Sequence, residues 1–319
     1  MTAVAAEARK ASATEPAARS YHGQPILKQP IWTWEIPTYF YFGGLAGGSA
    51  GLAFLSGLRG NEVLARRAWA TALAGVAVSP GLLISDLGRP ARFLNMLRMF
   101  KVTSPMSVGS WVLVGSGGST AIAAADAWTS FVPSPLGILA RPVAALLGLP
   151  LSTYTAALVA NTAVPVWHEA HRILPFVFGS GAALSAGATS LMVTPVARAA
   201  PARRLALGAA LAELGASELM ERRLGEHGEP YHGGQTSRFR LISRACLAGG
   251  VALLASRGGS SRAAAIASGA LLCAGAMSAR WSIFNAGVES ASDPKYVVGP
   301  QRSGISRGER RGGARREPR

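Results

Sequence analysis

The sequence predicts an all-α integral membrane protein with about eight transmembrane helices, and three observations carry that prediction. Of 319 residues, 49% are hydrophobic and only 15% are charged, with a mean hydropathy of +0.26. A soluble protein carries nearer about 25% charge. Long runs lack any Asp, Glu, Lys or Arg, namely Ile36 to Leu58, Val102 to Ala125, Pro142 to His168 and Ile173 to Ala197. Each run exceeds the roughly 20 residues a helix needs to cross a bilayer. The runs are rich in Ala, Gly and Leu and lack strand-like alternation, which speaks against a membrane β-barrel.

Taken in chain order, residues 1–31 form a polar tail with charges and prolines and without the apolar core of a secretory signal. The first span, Ile36 to Leu58, is entered through "WTWEIPTYFYF". Trp32, Trp34 and the following aromatics fit an interface belt. Glu35 fits it less well, because a carboxylate at a membrane boundary is costly without a partner or a task. Tyr39 lies one helical turn on and shares its face. Gly43, Gly44, Gly47, Gly48 and Gly51 recur at helical spacing and read as a helix-packing face, not a phosphate cradle.

The second span, Ala68 to Ser85, runs into Asp86, with Arg89 at i+3. Two roles are open for Asp86: an Asp–Arg pair that closes a helix end, or a proton-accepting acid near a cofactor head group. Gly88 and Pro90 end the helix. "ARFLNMLRMF" can then lie in the interface, with Phe93, Leu94, Leu97 and Phe100 in lipid and Arg92 and Arg98 toward water. The third span is Val102 to Ala125. The fourth, Pro142 to His168, carries Tyr154 and Asn161 on one face, with Tyr154 about 10 Å deeper. The fifth is Ile173 to Ala197. Two spans are weaker: Leu205 to Met220, interrupted by Glu213 and Glu218, and Leu241 to Ser256, with Arg244 near its start. Ala263 to Ala279 is the last, with Arg280 at its end. The transmembrane domain therefore runs over residues 32–290, and residues 291–319 form a basic, disordered tail.

Net charge is +16, but topology accounts for it better than nucleic acid does. With eight spans both termini share a side, and most of the 32 Lys and Arg residues fall there. That excess places both termini in the cytoplasm, in a cytoplasmic (inner) membrane. The two cysteines, Cys246 and Cys273, lie in apolar helices, and an iron–sulfur cluster takes four thiolates. None of the five histidines lies mid-span, which disfavours a bis-His haem. His168-Glu169-Ala170-His171 lacks the zinc-protease spacing and reads as a polar loop cap. Glu213, Glu218 and Arg280 read as structural ion pairs or, in a second functional class, as the charges of a transporter or proton-translocating subunit.

Three segments in order, "WTWEIPTYFYFGGLAGGSAGL", "SDLGRPARF" followed by "TSPMSVGSW", and "TYTAALVANTAVPVWHEA", resemble the NrfD/PsrC family. These are integral membrane subunits of polysulfide-reductase-like molybdenum/iron–sulfur oxidoreductases. The resemblance is specific from Trp32 to about Arg172 and looser to about Ser290. It implies two adjacent four-helix bundles, no haem or cluster in this chain, and a bound quinone, menaquinone or ubiquinone. It also implies two partners, a ferredoxin-like iron–sulfur subunit and a molybdopterin catalytic subunit. Tyr39 falls where polysulfide reductase has a histidine near the quinone, and Tyr154 falls on the fourth-span tyrosine. Ile36 falls on a neighbouring asparagine position and has no hydrogen-bonding side chain, which leaves Glu35 and Asp86 to compensate. Glu35 and Asp86 are then the proton-relaying acids, and Trp34, Arg89 and Asn161 complete the expected cofactor-binding set.

Overall fold

Eight long helices make up the chain in its computed structural model, which describes residues 26–298 apart from 88, 90 and 130. Residues 1–25 and 299–319 of the two expected tails lie outside the described residues, as do Gly88 and Pro90 of the expected hinge. The helices are α1 (Glu35–Leu58), α2 (Glu62–Asp86), α3 (Pro105–Trp128), α4 (Ser134–Ala160), α5 (Leu174–Val193), α6 (Ala200–Leu224), α7 (Gly234–Arg257) and α8 (Arg262–Ser292). No strand occurs among the described residues.

Local chemistry marks the boundaries. Asn61, Ser104 and Ser261 cap α2, α3 and α8 by accepting from the backbone N–H three residues on. Prolines open α3 to α6, where a missing N–H costs nothing. Gly60 has φ +71° in the tight α1–α2 turn, a conformation that favours glycine.

Among the described residues six helices are long and apolar enough to cross a membrane: α2, α3, α4, α5, α7 and α8. The identities differ from the sequence reading at one helix each way. α7, expected to be weak, qualifies because the apolar residues beyond Arg244 supply a sufficient window. α1, expected to be strong, does not, because its glycines, serines and tyrosines lower its hydropathy. It is nonetheless the most enclosed helix by position. α1 packs on α2 and α4, and α3 joins α2 to α4, closing one four-helix bundle. α5 packs on α6 and α8, and α7 joins those two, closing the second. α1 also touches α5 and α8, so it forms much of the seam between the bundles.

Glycine sets how close those approaches are. A Cβ on Gly148 of α4 would stand 2.7 Å from the Gly47 carbonyl oxygen, and one on Gly47 would collide with Gly148 in return. A Cβ on Gly48 would stand 2.5 Å from the Ala182 carbonyl oxygen of α5, and one on Gly75 of α2 would stand 2.8 Å from Ala46 Cβ. Gly43 and Gly51 meet nothing within 4 Å. The expected glycine face therefore comprises Gly44, Gly47 and Gly48, aimed at two different neighbours.

Both described chain ends, with the α2–α3, α4–α5 and α6–α7 connections, lie at one end of the molecule, called the terminal end below. At the opposite end the bundles are tied through the C-terminus of α5. Arg262 donates to Leu191 O (2.8 Å), Thr194 O (2.7 Å) and Met192 O, and Arg67 donates to Val193 O. Guanidinium groups suit the negative end of a helix. Asn61 Nδ2 adds a bond to Arg198 O at 2.9 Å.

Gly47→Leu should lower the unfolding midpoint of the detergent-solubilised protein or prevent its folding, since overpacking of this kind costs about 1–3 kcal/mol. Gly51→Ala should leave the midpoint unchanged. Equal tolerance of both would contradict a backbone-level α1–α4 contact.

Candidate functional site

The terminal end of the first bundle brings several of the expected residues together. α1 begins at Glu35, which is half-buried and accepts from the Thr33 hydroxyl. α2 arrives antiparallel and ends at Asp86, also half-buried, which sits by the Thr33 backbone amide and within range of the Glu35 charge. The helix fields treat the two acids oppositely. Glu35 stands at the positive end of α1, whereas Asp86 stands at the negative end of α2.

The Asp86–Arg89 pair open in the sequence is not formed. Among the described residues no ion pair joins them, and Arg89 is exposed. The reason is local: α2 stops at Asp86, and i,i+3 neighbours share a face only while the helix continues. Asp86 thus lies within range of a second carboxylate and at an unfavourable dipole end.

Tyr39 lies one turn into α1, 1% exposed, and its hydroxyl has no hydrogen-bond partner among the described residues. Ile36 is buried beside it at 5%. Tyr154 of α4 is partly buried and packs on the same apolar cluster as Tyr39. Its ring lies over Gly109 of α3, where a Cβ would stand 2.7 Å from Cδ2. Gly109 therefore admits the Tyr154 ring, a role its surroundings in sequence do not signal. Trp34 is 57% exposed, and Asn161, the C-cap of α4, is also exposed. These two stand at the surface of the same end rather than inside it.

The aromatic entry divides into separate duties. Trp34 faces outward, as an interface residue does. Tyr39, Phe40 and Tyr41 are core. Trp32 turns inward and stacks on Trp167 at 5.7 Å. Trp167 is 1% exposed, donates from Nε1 to Ile283 O at 2.8 Å, and fills space left by Gly287 of α8. This indole clasps the segment before α1, the α4–α5 connection and α8. No local pattern in the sequence marks this role, because the partners of Trp167 lie far along the chain. A cavity of about 450 Å³ opens beside it, lined by Leu27 to Trp32 and Thr162 to Val164.

"TSPMS" also acquires a physical account. Ser104 caps α3 and Pro105 opens it. Ser107 accepts from Lys101 N and donates to Met99 O, both at 3.0 Å, clipping the α2–α3 connection to the helix. The amphipathic expectation is met in part. A short helix spans Arg92–Met96, Leu94, Met99 and Phe100 are exposed, and Phe93 and Leu97 are partly covered. His168 Nδ1 lies 3.3 Å from Ala160 O and His171 Nδ1 2.8 Å from His168 O, so both rings turn onto backbone carbonyls as loop caps do.

In the second bundle Glu218 and Glu221 of α6 bind Arg244 at 2.8 and 3.0 Å, and Glu221 also binds Arg240 at 3.0 Å, joining α6 to α7. Glu213 and Arg280 form a separate buried pair at 3.7 Å.

The family model described as polysulfide reductase, of the NrfD kind, matches residues 19–293. No curated protein matches the chain.

Trp167→Phe keeps the stack but removes the bond to Ile283, so it should lower the melting midpoint by the equivalent of about 0.5–1.5 kcal/mol. Gly287→Ala should lower it further, since the new methyl meets the indole. A midpoint unmoved by Trp167→Phe would show that the clasp does not depend on the indole N–H.

Proposed function

The chain belongs to the NrfD-type polysulfide reductase family of membrane subunits, and from that premise we propose that it is a quinone-reactive anchor. In this reading it passes electrons between a partner iron–sulfur subunit and the membrane quinone pool. The observation that carries it is the buried Tyr39 hydroxyl, left without a partner among the described residues at the bundle end that also holds Glu35 and Asp86. A buried donor without an acceptor is costly, and a ligand carbonyl oxygen is a group that would relieve it. These residues therefore fit a quinone head group.

A quinone supplies two-electron, two-proton chemistry, taking protons at its two carbonyl oxygens. The residues of this chain would bind and protonate. Tyr39 and Tyr154 would donate hydrogen bonds to those oxygens and fix their orientation. Asp86 and Glu35 would hold protons and hand them on, and their half-exposed position lets water at the terminal end replace them. Trp34 and Asn161, at the surface, would border the entry. Arg89, exposed and unpaired with Asp86, would act through its charge at that surface.

Electrons have to come from outside, since two cysteines cannot hold a cluster. A ferredoxin-like iron–sulfur subunit, itself served by a molybdopterin subunit, would dock at the terminal end. Lys28, Arg89, Arg98 and Lys101 are exposed there, next to exposed Met99, Phe100 and Val102. That mixture of cationic rim and apolar patch suits an acidic-rimmed partner. The basic excess at this end supports a cytoplasmic location for both termini, in an inner membrane. The alternative, a proton-translocating subunit without quinone chemistry, draws on the Glu213–Arg280 pair.

Asp86→Asn in the assembled complex should lower quinone-linked turnover by about tenfold or more, the effect of losing a proton-transfer group. The partner's activity with an artificial acceptor should stay normal. Tyr154→Phe should slow the same turnover by up to about tenfold, one hydrogen bond's worth. Unchanged quinone turnover in both variants, measured with a soluble analogue, would overturn the reading. Loss in Glu35→Gln alone would transfer the relay to Glu35.

A further inference from the structure

Glu213 and Arg280 are the two buried charges of the second bundle, and their surroundings are not those of a static ion pair. Both side chains are almost fully covered, at 1% and 3% exposure. Glu213 sits near the middle of α6, far from either helix end. Its two carboxylate oxygens have no hydrogen-bond donor among the described residues, and Arg280 approaches no closer than 3.7 Å. A carboxylate held this way is badly solvated, because buried charge is tolerated only when its lone pairs are satisfied.

Arg280 is held differently. Its guanidinium donates to Val177 O at 3.3 Å and Phe178 O at 3.1 Å, and lies 4.3 Å from the centre of the Phe178 ring. Carbonyl oxygens and a ring face both stabilise a cation. Arg280 therefore has partners that do not depend on Glu213. Gly181 of α5 makes the room, since a Cβ there would meet both Arg280 and Glu213 Oε1.

A small cavity lies one helical turn from the pair. A cavity of about 30 Å³ runs between α6, α7 and α8, enough for a water molecule given polar partners. Ser217, one turn from Glu213, and Ser282, two residues from Arg280, line it, while Glu213 and Arg280 themselves stand behind that lining. Glu221, Tyr231, Arg240 and Arg244 line it on the side nearer the terminal end.

We infer that Glu213 is a second proton-binding site, separate from the Glu35–Asp86 acids, which exchanges protons with the terminal end through the Ser217–Ser282 cavity. The step is simple to balance. A proton arriving by cavity water adds to a Glu213 carboxylate oxygen, no bond breaks in the protein, and Arg280 keeps its charge. The mid-depth charge of the pair moves from zero to plus one. Val177, Phe178 and the Phe178 ring stabilise that extra charge. The other titratable groups facing the pair are few. α1 presents Tyr41, which lies near Arg280 and against Cys273 of α8, and α5 presents Gly181 beside the pair and the hydroxyls of Ser185 and Thr189 beside Tyr41. The cations that line the cavity, Arg240 and Arg244, are already bound to Glu218 and Glu221.

Infrared spectroscopy of the full-length protein, purified with its accompanying subunits, tests this. The carboxyl stretch is followed from about pH 5 to about pH 9, the range where a buried carboxyl titrates, in H₂O and D₂O. A titrating, deuterium-sensitive carboxyl band should be present in the native protein, absent in Glu213→Gln and displaced in Glu213→Asp. Ser217→Val, which narrows the cavity without touching the pair, should slow deuterium exchange of that band about tenfold. Identical titration difference spectra for native and Glu213→Gln protein would show a carboxyl locked in one state and overturn the inference. Unaltered exchange in Ser217→Val would overturn the route. Should Glu213→Gln fail to fold, ¹³C-carboxyl labelling of glutamate in the native protein reads the same band, and the absence of a slowly exchanging titrating glutamate overturns the proposal.

Discussion

The close approach of α1 to its neighbours is the constraint on which the rest of the molecule depends. Lipid offers helices no hydrophobic drive to associate, so packing has to come from backbone contact over small residues. Gly47 meets Gly148 of α4, Gly48 meets Ala182 of α5, and Gly75 of α2 receives Ala46. One helix therefore sets the spacing inside the first bundle and across the seam to the second. Its low hydropathy, which keeps it out of the set of apolar spans, follows from the same glycines. A helix surrounded by protein can afford residues that lipid-facing helices cannot.

The seam also explains where polar groups collect. Antiparallel packing of α1 and α2 brings the start of one and the end of the other to the same level, so Glu35 and Asp86 share one end of the bundle although many residues separate them. Tyr39, a turn deeper, is sealed by aromatic neighbours, and Tyr154 reaches the same cluster because Gly109 leaves it space. The Trp32–Trp167 stack fixes the segment that leads into α1 and so fixes the register of Glu35 at the bundle end. Acids, hydroxyls and an outward-facing basic surface thus occur together at one end of one bundle.

The second bundle follows a different logic. Its outer acids are saturated by arginines across α6 and α7, while Glu213 is left with one distant cation and no donors. At the opposite end of the molecule Arg67 and Arg262 are held by the terminal carbonyls of α5. Among these cations Arg280 differs in its near-complete burial, held by backbone carbonyls and a ring face instead of a closely hydrogen-bonded acid. Dipoles can hold a charge at depth without cancelling it, which leaves the neighbouring carboxylate free to change state.

By itself the sequence determined the class and the scale of the protein. Charge-free runs of bilayer length specify membrane helices whatever their neighbours, and caps and prolines specify their ends. The glycine spacing, the aromatic entry and the ordered motifs pointed to the family and to the residues of the first bundle's end. Tertiary structure decided which of those residues meet. Helical spacing offered Arg89 to Asp86, but the helix ends before the spacing can act, and Thr33 and Glu35 are the neighbours instead. Five glycines looked alike along one helix, yet only those facing a second backbone do packing work, and which ones face it depends on how α4 and α5 cross α1. Trp167, Gly109 and the Glu213–Arg280 pair were legible as residues but not as contacts, because their partners lie on helices distant in sequence. Local chemistry encodes the helices, whereas the site arises from the crossing of helices, a property of several segments at once.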